Sequence, residues 1–139
     1  MITEGKFVDT NIFIRYLTSD DKLKSRQCKK IFEGAKDGKL NLRTSILVIA
    51  EVFYVLKSPQ LYKIQGSEIV ELLLPIILIP NLKIDEKYLV IKALGILSKS
   101  KVDFEDAYNV AYMDENGLKD IYTYDKDFDG VSGIRRLEP

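Results

Sequence analysis

Short apolar runs alternate along the chain with longer stretches of helical period, the pattern of strands interleaved with helices. Lys6–Val8 predicts a short strand ending at Asp9-Thr10-Asn11, residue types that favour turns and helix N-caps. Ile12, Phe13, Ile14, Tyr16 and Leu17 then predict a helix. Ser19–Asp37 reads as a second, amphipathic helix with Leu23, Cys28, Ile31, Phe32 and Ala35 on its apolar side and Gly38 as its stop. Leu40–Arg43 predicts another strand. Thr44 or Ser45 can cap a helix running to about Leu56, and because Ile46–Leu56 is apolar everywhere but Glu51, that helix is expected to be almost wholly buried. Ser58-Pro59 ends it, Gly66-Ser67 opens the next, and Pro80 closes that one before a strand near Leu82–Ile84. Helices follow over about Glu86–Ser98 and Phe104–Glu115, the latter stopped by Asn116-Gly117. Strands are expected at Ile121–Tyr124 and near Arg135–Leu137.

Strands and helices in this order predict right-handed crossovers and an α/β fold, a three-layer α/β/α arrangement around a parallel sheet of four to five strands. With 139 residues, 46% of them apolar, residues 1–139 are expected to form a single domain. There is one cysteine, Cys28, and no histidine, which excludes an internal disulfide, the usual zinc sites and Ser-His or Cys-His catalysis. Any metal must be held by oxygen. The longest apolar run, Leu72–Ile79, is interrupted by Pro75 and falls short of the roughly 20 residues of a membrane span. With no leader-like pattern at the N-terminus, a cytoplasmic, non-membrane protein is expected.

Lys+Arg and Asp+Glu balance at 21 each, so a polyanion would have to be met by local patches. The densest basic stretch carries Lys22, Lys24, Arg26, Lys29, Lys30, Lys36 and Lys39. It reads equally as a solvated helix face or as a phosphate-contacting one.

In an open parallel sheet, ligands gather at the carboxyl ends of the strands. Asp9 closes the first strand and Asp125 follows the strand at Ile121–Tyr124. Glu51 lies in the second turn of a helix that starts at that edge. Asp106 lies in the first turn of the helix that runs back to feed the strand at Ile121. Like charges share a small volume only around a cation, so the four predict an acidic metal site. Glu51 weighs most, since burying it unpaired in an apolar helix would cost several kcal/mol, so a cation is expected to meet it, either a distant Lys or Arg or a bound metal. Asp9 alone reads as an N-cap, as does Asp103, which stands three residues before Asp106 in a capping-box-like arrangement.

Asp125-Lys126-Asp127-Phe128-Asp129-Gly130 copies the first half of an EF-hand calcium loop. The copy fails at its end, where Arg136 stands in place of the bidentate Glu. Asp127 and Asp129 then read as loop acids near the site edge, with Asp103 and Asp127 as secondary ligand candidates.

FVDTNIFIRYL at Phe7–Leu17, the AEV of Ala50–Val52, DFEDA at Asp103–Ala107 and TYDKDFDG at Thr123–Gly130 together resemble the PIN-domain family, and within it the VapC-like toxins of toxin–antitoxin pairs. The resemblance implies a metal-dependent endoribonuclease with Asp9, Glu51, Asp106 and Asp125 as its acidic positions. Asn11 and Thr123 match positions that support the acids by hydrogen bonding. It also implies frequent homodimers and, for the toxin branch, an antitoxin protein that blocks the cleft. Mg²⁺ or Mn²⁺ suits hard oxygen ligands and would activate water for attack on an RNA phosphodiester. Arg15 and Lys126 are candidate phosphate contacts, and Tyr16 or Tyr124 candidate stacking surfaces for single-stranded RNA.

A nuclease for RNA processing outside any toxin–antitoxin pair is one alternative, and a non-catalytic module whose acidic pocket receives a basic partner segment is another. An aspartate-nucleophile phosphatase also opens on a strand ending in Asp, but wants a second Asp two residues on, where this chain has Asn11.

Overall fold

The computed structural model describes residues 4–139, which form two compact units, one ending at Lys87 and one running Tyr88–Pro139. The fold class is α/β, and every strand pair is parallel. The five strands hydrogen-bond as a set of three in the first unit and a set of two in the second.

The first unit comprises β1 (Lys6–Phe7), α1 (Thr10–Leu17), α2 (Lys22–Lys36), β2 (Leu42–Thr44), α3 (Ile46–Lys57), α4 (Gly66–Ile77) and β3 (Leu82–Ile84). Its sheet has the order β1-β2-β3, with Phe7 opposite Arg43 and Thr44 opposite Ile84. On β2 and β3 the residues alternate: Leu42, Thr44, Leu82 and Ile84 are buried while Arg43 and Lys83 are exposed. That alternation fixes the register, because a one-residue slip would expose the apolar set.

Helix ends follow local chemistry. Asp21 caps α2 by accepting from the Lys24 amide at 3.0 Å, and Ser45 caps α3 by accepting from Val48 at 3.3 Å. Gly38, at φ +78°, ends the α2 segment in the left-handed region that a side chain would strain. Phe13 and Tyr16 of α1 both pack on Phe32 of α2, at ring separations of 5.2 and 5.1 Å.

Helix α3 departs from its expected burial. Val48, Ile49, Val52, Phe53 and Leu56 are buried, whereas Leu47 is 81% and Tyr54 75% exposed. At 3.6 residues per turn, Leu47, Glu51 and Tyr54 share the face opposite the core, so apolar content all round did not mean burial all round. Leu23 departs for the same reason. It is 58% exposed because it stands roughly opposite the Cys28–Phe32–Ala35 stripe of α2.

The chain enters the second unit through α5 (Lys87–Lys99), followed by α6 (Phe104–Glu115), β4 (Asp120–Tyr122), a 3-10 turn over Lys126–Gly130 and β5 (Arg135–Leu137). Gly117, at φ +70°, closes α6 after the Asn116 cap. β4 and β5 pair with Ile121 opposite Arg136, and the ladder continues to a Thr123 amide bond to the Leu137 carbonyl at 3.0 Å. No described helix is long and apolar enough to cross a membrane.

Candidate active site

The first unit carries Asp9 and Glu51. Val8 is buried, and its carbonyl accepts a 2.8 Å hydrogen bond from the buried Thr44 hydroxyl, which ties the end of β1 to the end of β2. Since these strands are parallel, Asp9 and the start of α3 leave the sheet at the same carboxyl edge. Asp9 is extended, and one carboxylate oxygen accepts from the adjacent Thr10 amide at 2.8 Å. A cap normally accepts from the second or third helical amide, so Asp9 serves α1 only at its first residue. The Thr10 hydroxyl, directly beside it, is buried and has no hydrogen-bond partner among the described residues. Leaving a hydroxyl in that state costs about 1–3 kcal/mol unless solvent or an ion-bound water meets it.

Glu51 is exposed on the outer face of α3 and forms no ion pair among the described residues. The expectation that burial forces a cation onto Glu51 is therefore corrected: its carboxylate keeps its water, and no such penalty arises. Its position in the second turn, near the edge where Asp9 sits, comes from the β2–α3 connection alone. Asn11 is exposed in the first turn of α1. Arg15 is half-buried in the last turn, where a cation complements the helix dipole. Tyr16 is engaged edge-on with Phe32, so it belongs to the α1–α2 packing. All seven basic residues from Lys22 to Lys39 are exposed.

The second unit carries the more crowded set. Asp103 is the N-cap residue of α6, without a side-chain capping bond, so the capping-box arrangement is not made. Asp106, in the first turn, is half-buried. Burial pushes its carboxyl above the usual range, and Asp125, Asp103, Glu105 and Asp127 push it further in the same direction.

Asp125 follows β4. Its amide donates to the Thr123 hydroxyl at 3.0 Å, and its carboxylate accepts from the Asp127 amide at 2.9 Å, an Asx turn that opens the 3-10 turn. Buried Phe128 anchors that turn. Tyr124, Asp125, Lys126 and Asp127 are all exposed. Asp129, one of the two loop acids, is exposed and is gripped by the Arg136 guanidinium at 2.9 and 3.4 Å.

The structure thus places the four carboxylates two and two, Asp9 and Glu51 in one unit and Asp106 and Asp125 in the other. Among the described residues, no three acidic or sulfur side chains stand close enough to hold one ion. The donor set is still suited to a hard divalent cation: every candidate ligand is an oxygen, the acids around Asp106 repel one another, and a buried hydroxyl next to Asp9 lacks a partner. Two residues near the candidate acids carry no sequence signal of a site role: Thr10 is a turn or N-cap residue type, and Arg136 stands where an EF-hand would have its Glu.

A profile of the PIN domain matches residues 6–134. No curated protein matches the chain.

Proposed function

Because the chain belongs to the PIN domain family, we propose that it is a Mg²⁺- or Mn²⁺-dependent endoribonuclease and the toxin of a toxin–antitoxin pair. PIN domains are nuclease folds, generally metal-dependent, so hydrolysis of a phosphodiester is the family's chemistry. The observation that carries the reading is the crowding of carboxylates on Asp106, whose own carboxyl is pushed up by burial and by Asp125, Asp103, Glu105 and Asp127. Such a group is unfavourable by itself and favourable beside a divalent cation.

Asp9, Glu51, Asp106 and Asp125 would hold the ion, with Asp103 and Asp127 as secondary ligands. When bound, the ion activates water for in-line attack and offsets charge on the leaving oxygen. The chain's own residues orient that ensemble. Thr123 holds the Asp125 backbone, the Asx turn fixes one Asp125 oxygen and leaves the other for a ligand, and Thr10 and Asn11 supply neutral hydrogen-bonding groups beside Asp9. Arg15 and Lys126 contact phosphates of single-stranded or looped RNA. Tyr124 is the exposed aromatic next to Asp125 and offers a stacking face.

The family match runs across both compact units, which supports their working as one catalytic domain. A cytoplasmic homodimer, with an antitoxin that covers the acids through a basic segment, completes the proposal. Asp9→Asn and Asp125→Asn should fold normally and lose RNA cleavage and Mn²⁺ binding together. Full activity in either variant would sink the site assignment. Expression of the wild-type chain should arrest growth, and co-expression of a neighbouring small reading frame should relieve it. Harmless expression of an active nuclease would remove the toxin role and leave RNA processing.

A further inference from the structure

Beside the contacts internal to the loop that carries Asp125, one side chain from outside it joins its two ends. From β5, Arg136 directs its guanidinium to both oxygens of Asp129 at 2.9 and 3.4 Å, to the Thr123 carbonyl at 3.5 Å and to the Glu138 carboxylate. Thr123 lies two residues before Asp125 and Asp129 four residues after it, so a single rigid fork bridges the two ends of the turn in which Asp125 sits. The Arg136 side chain is 16% exposed, while its carboxylate partners Asp129 and Glu138 are 57% and 48% exposed, so the multiplicity and planar geometry of the contacts carry the brace rather than burial.

This arrangement gives physical meaning to the spoiled EF-hand. Where a calcium loop would close with a carboxylate, this chain has a cation, and it consumes Asp129 as a strut rather than leaving it as a ligand. Asp125 accepts from the Asp127 amide inside the braced segment.

We propose that Arg136 is a positioning residue that locks the Asp125–Asp129 turn in the geometry the acidic site requires. The inference rests on the ribonuclease reading for its functional half and stands alone for its structural half. A planar fork makes these contacts together, and a lysine ammonium reaches one of them at a time.

The test compares wild-type protein with Arg136→Gln, Arg136→Lys and Asp129→Asn, using full-length chain throughout. Hydrogen exchange of the Asp127 amide reads the turn directly and needs no activity. In Arg136→Gln it should speed up on the order of tenfold while the α6 amides stay protected. Cleavage of a single-stranded RNA at fixed, sub-saturating Mn²⁺ should fall on the order of 10- to 100-fold, with the half-saturating Mn²⁺ concentration rising. Arg136→Lys should recover part of both effects. Asp129→Asn should reproduce them, and the Arg136→Gln/Asp129→Asn double variant should be no worse than either single. Arg135→Gln, which removes a bidentate pair with Asp120 one residue away, should leave cleavage and Asp127 exchange unchanged. Unchanged exchange at Asp127 in Arg136→Gln overturns the inference, as does faster exchange with full cleavage and unaltered Mn²⁺ dependence. An inactive wild type would instead remove the ribonuclease reading, with the exchange result still deciding the role of Arg136.

Discussion

Replacing Asp106 with Asn should move stability and activity in opposite directions. In the metal-free chain the half-buried Asp106 carboxylate is penalised by desolvation first and then by Asp125, Asp103, Glu105 and Asp127. An isosteric amide keeps the volume and removes the charge. Partly exposed charge interactions are individually worth about 0.2–1 kcal/mol, and the gain for the set should be about 0.5–1 kcal/mol, or roughly 2–4 °C in Tm. The sign depends on pH. A carboxyl whose native pKa is raised binds its proton better folded than unfolded, so its penalty is absent below the unfolded value near pH 4 and grows as pH rises through the raised native value. Thermal melts in chelator should therefore show variant and wild type alike near pH 3 and the variant ahead at pH 7, with the gap narrowed by salt. Adding Mn²⁺ at about ten times its Kd should stabilise the wild type by about 1.4 kcal/mol and the variant far less. The variant should cleave no RNA. A variant less stable than wild type at pH 7 in chelator, or a gap that is the same at pH 3, would refute the electrostatic argument.

The division of α3 into two faces predicts that Leu56→Ala, at a fully buried position, costs about 2–5 kcal/mol. Leu47→Ser, on the exposed face, should stay within about 0.5 kcal/mol of wild type in urea denaturation. Equal losses would mean that α3 is buried all round. Burial is the first cause raising the Cys28 thiol, ahead of the opposing pull of Arg15 and Lys24, and the side chain is buried. Labelling by a thiol reagent at pH 7 should thus be slow in the native chain and fast in denaturant. Rapid native labelling would contradict its placement.

The sequence made some of this legible and concealed the rest. α6 spans Phe104–Glu115 as its sequence predicts, because Asn116-Gly117 stops it with local cap chemistry that no tertiary contact needs to reinforce, although Asp103 opens it without a side-chain capping bond. β5 lies at Arg135–Leu137 as expected and β1 stops at Phe7, one residue short, while β2 shifts to Leu42–Thr44, since the end of a strand is set by its partners and not by its own residues. Glu51 shows the opposite case. Its neighbours in sequence are all apolar, yet burial depends on which face meets the core, and a helix this uniform in composition carries little information about that face. The 3-10 turn and the Arg136 fork were hidden for another reason: they join residues on either side of a glycine-containing loop, and hydropathy patterns are silent about ion pairs. Of the candidate site, topology delivered Asp9, Asp106 and Asp125 to strand and helix ends. The structure added the charge crowding on Asp106 and the unpartnered Thr10 hydroxyl.

The central claim is metal-dependent RNA cleavage by these carboxylates. Its most direct test is a single-stranded RNA incubated with chelator-stripped, inhibitor-free protein while Mn²⁺ or Mg²⁺ is titrated in. The account predicts no cleavage without the ion, saturable cleavage with it, and none at any concentration in Asp106→Asn. Wild-type protein that stays inactive across the titration, or cleavage that persists in the chelator, would contradict it.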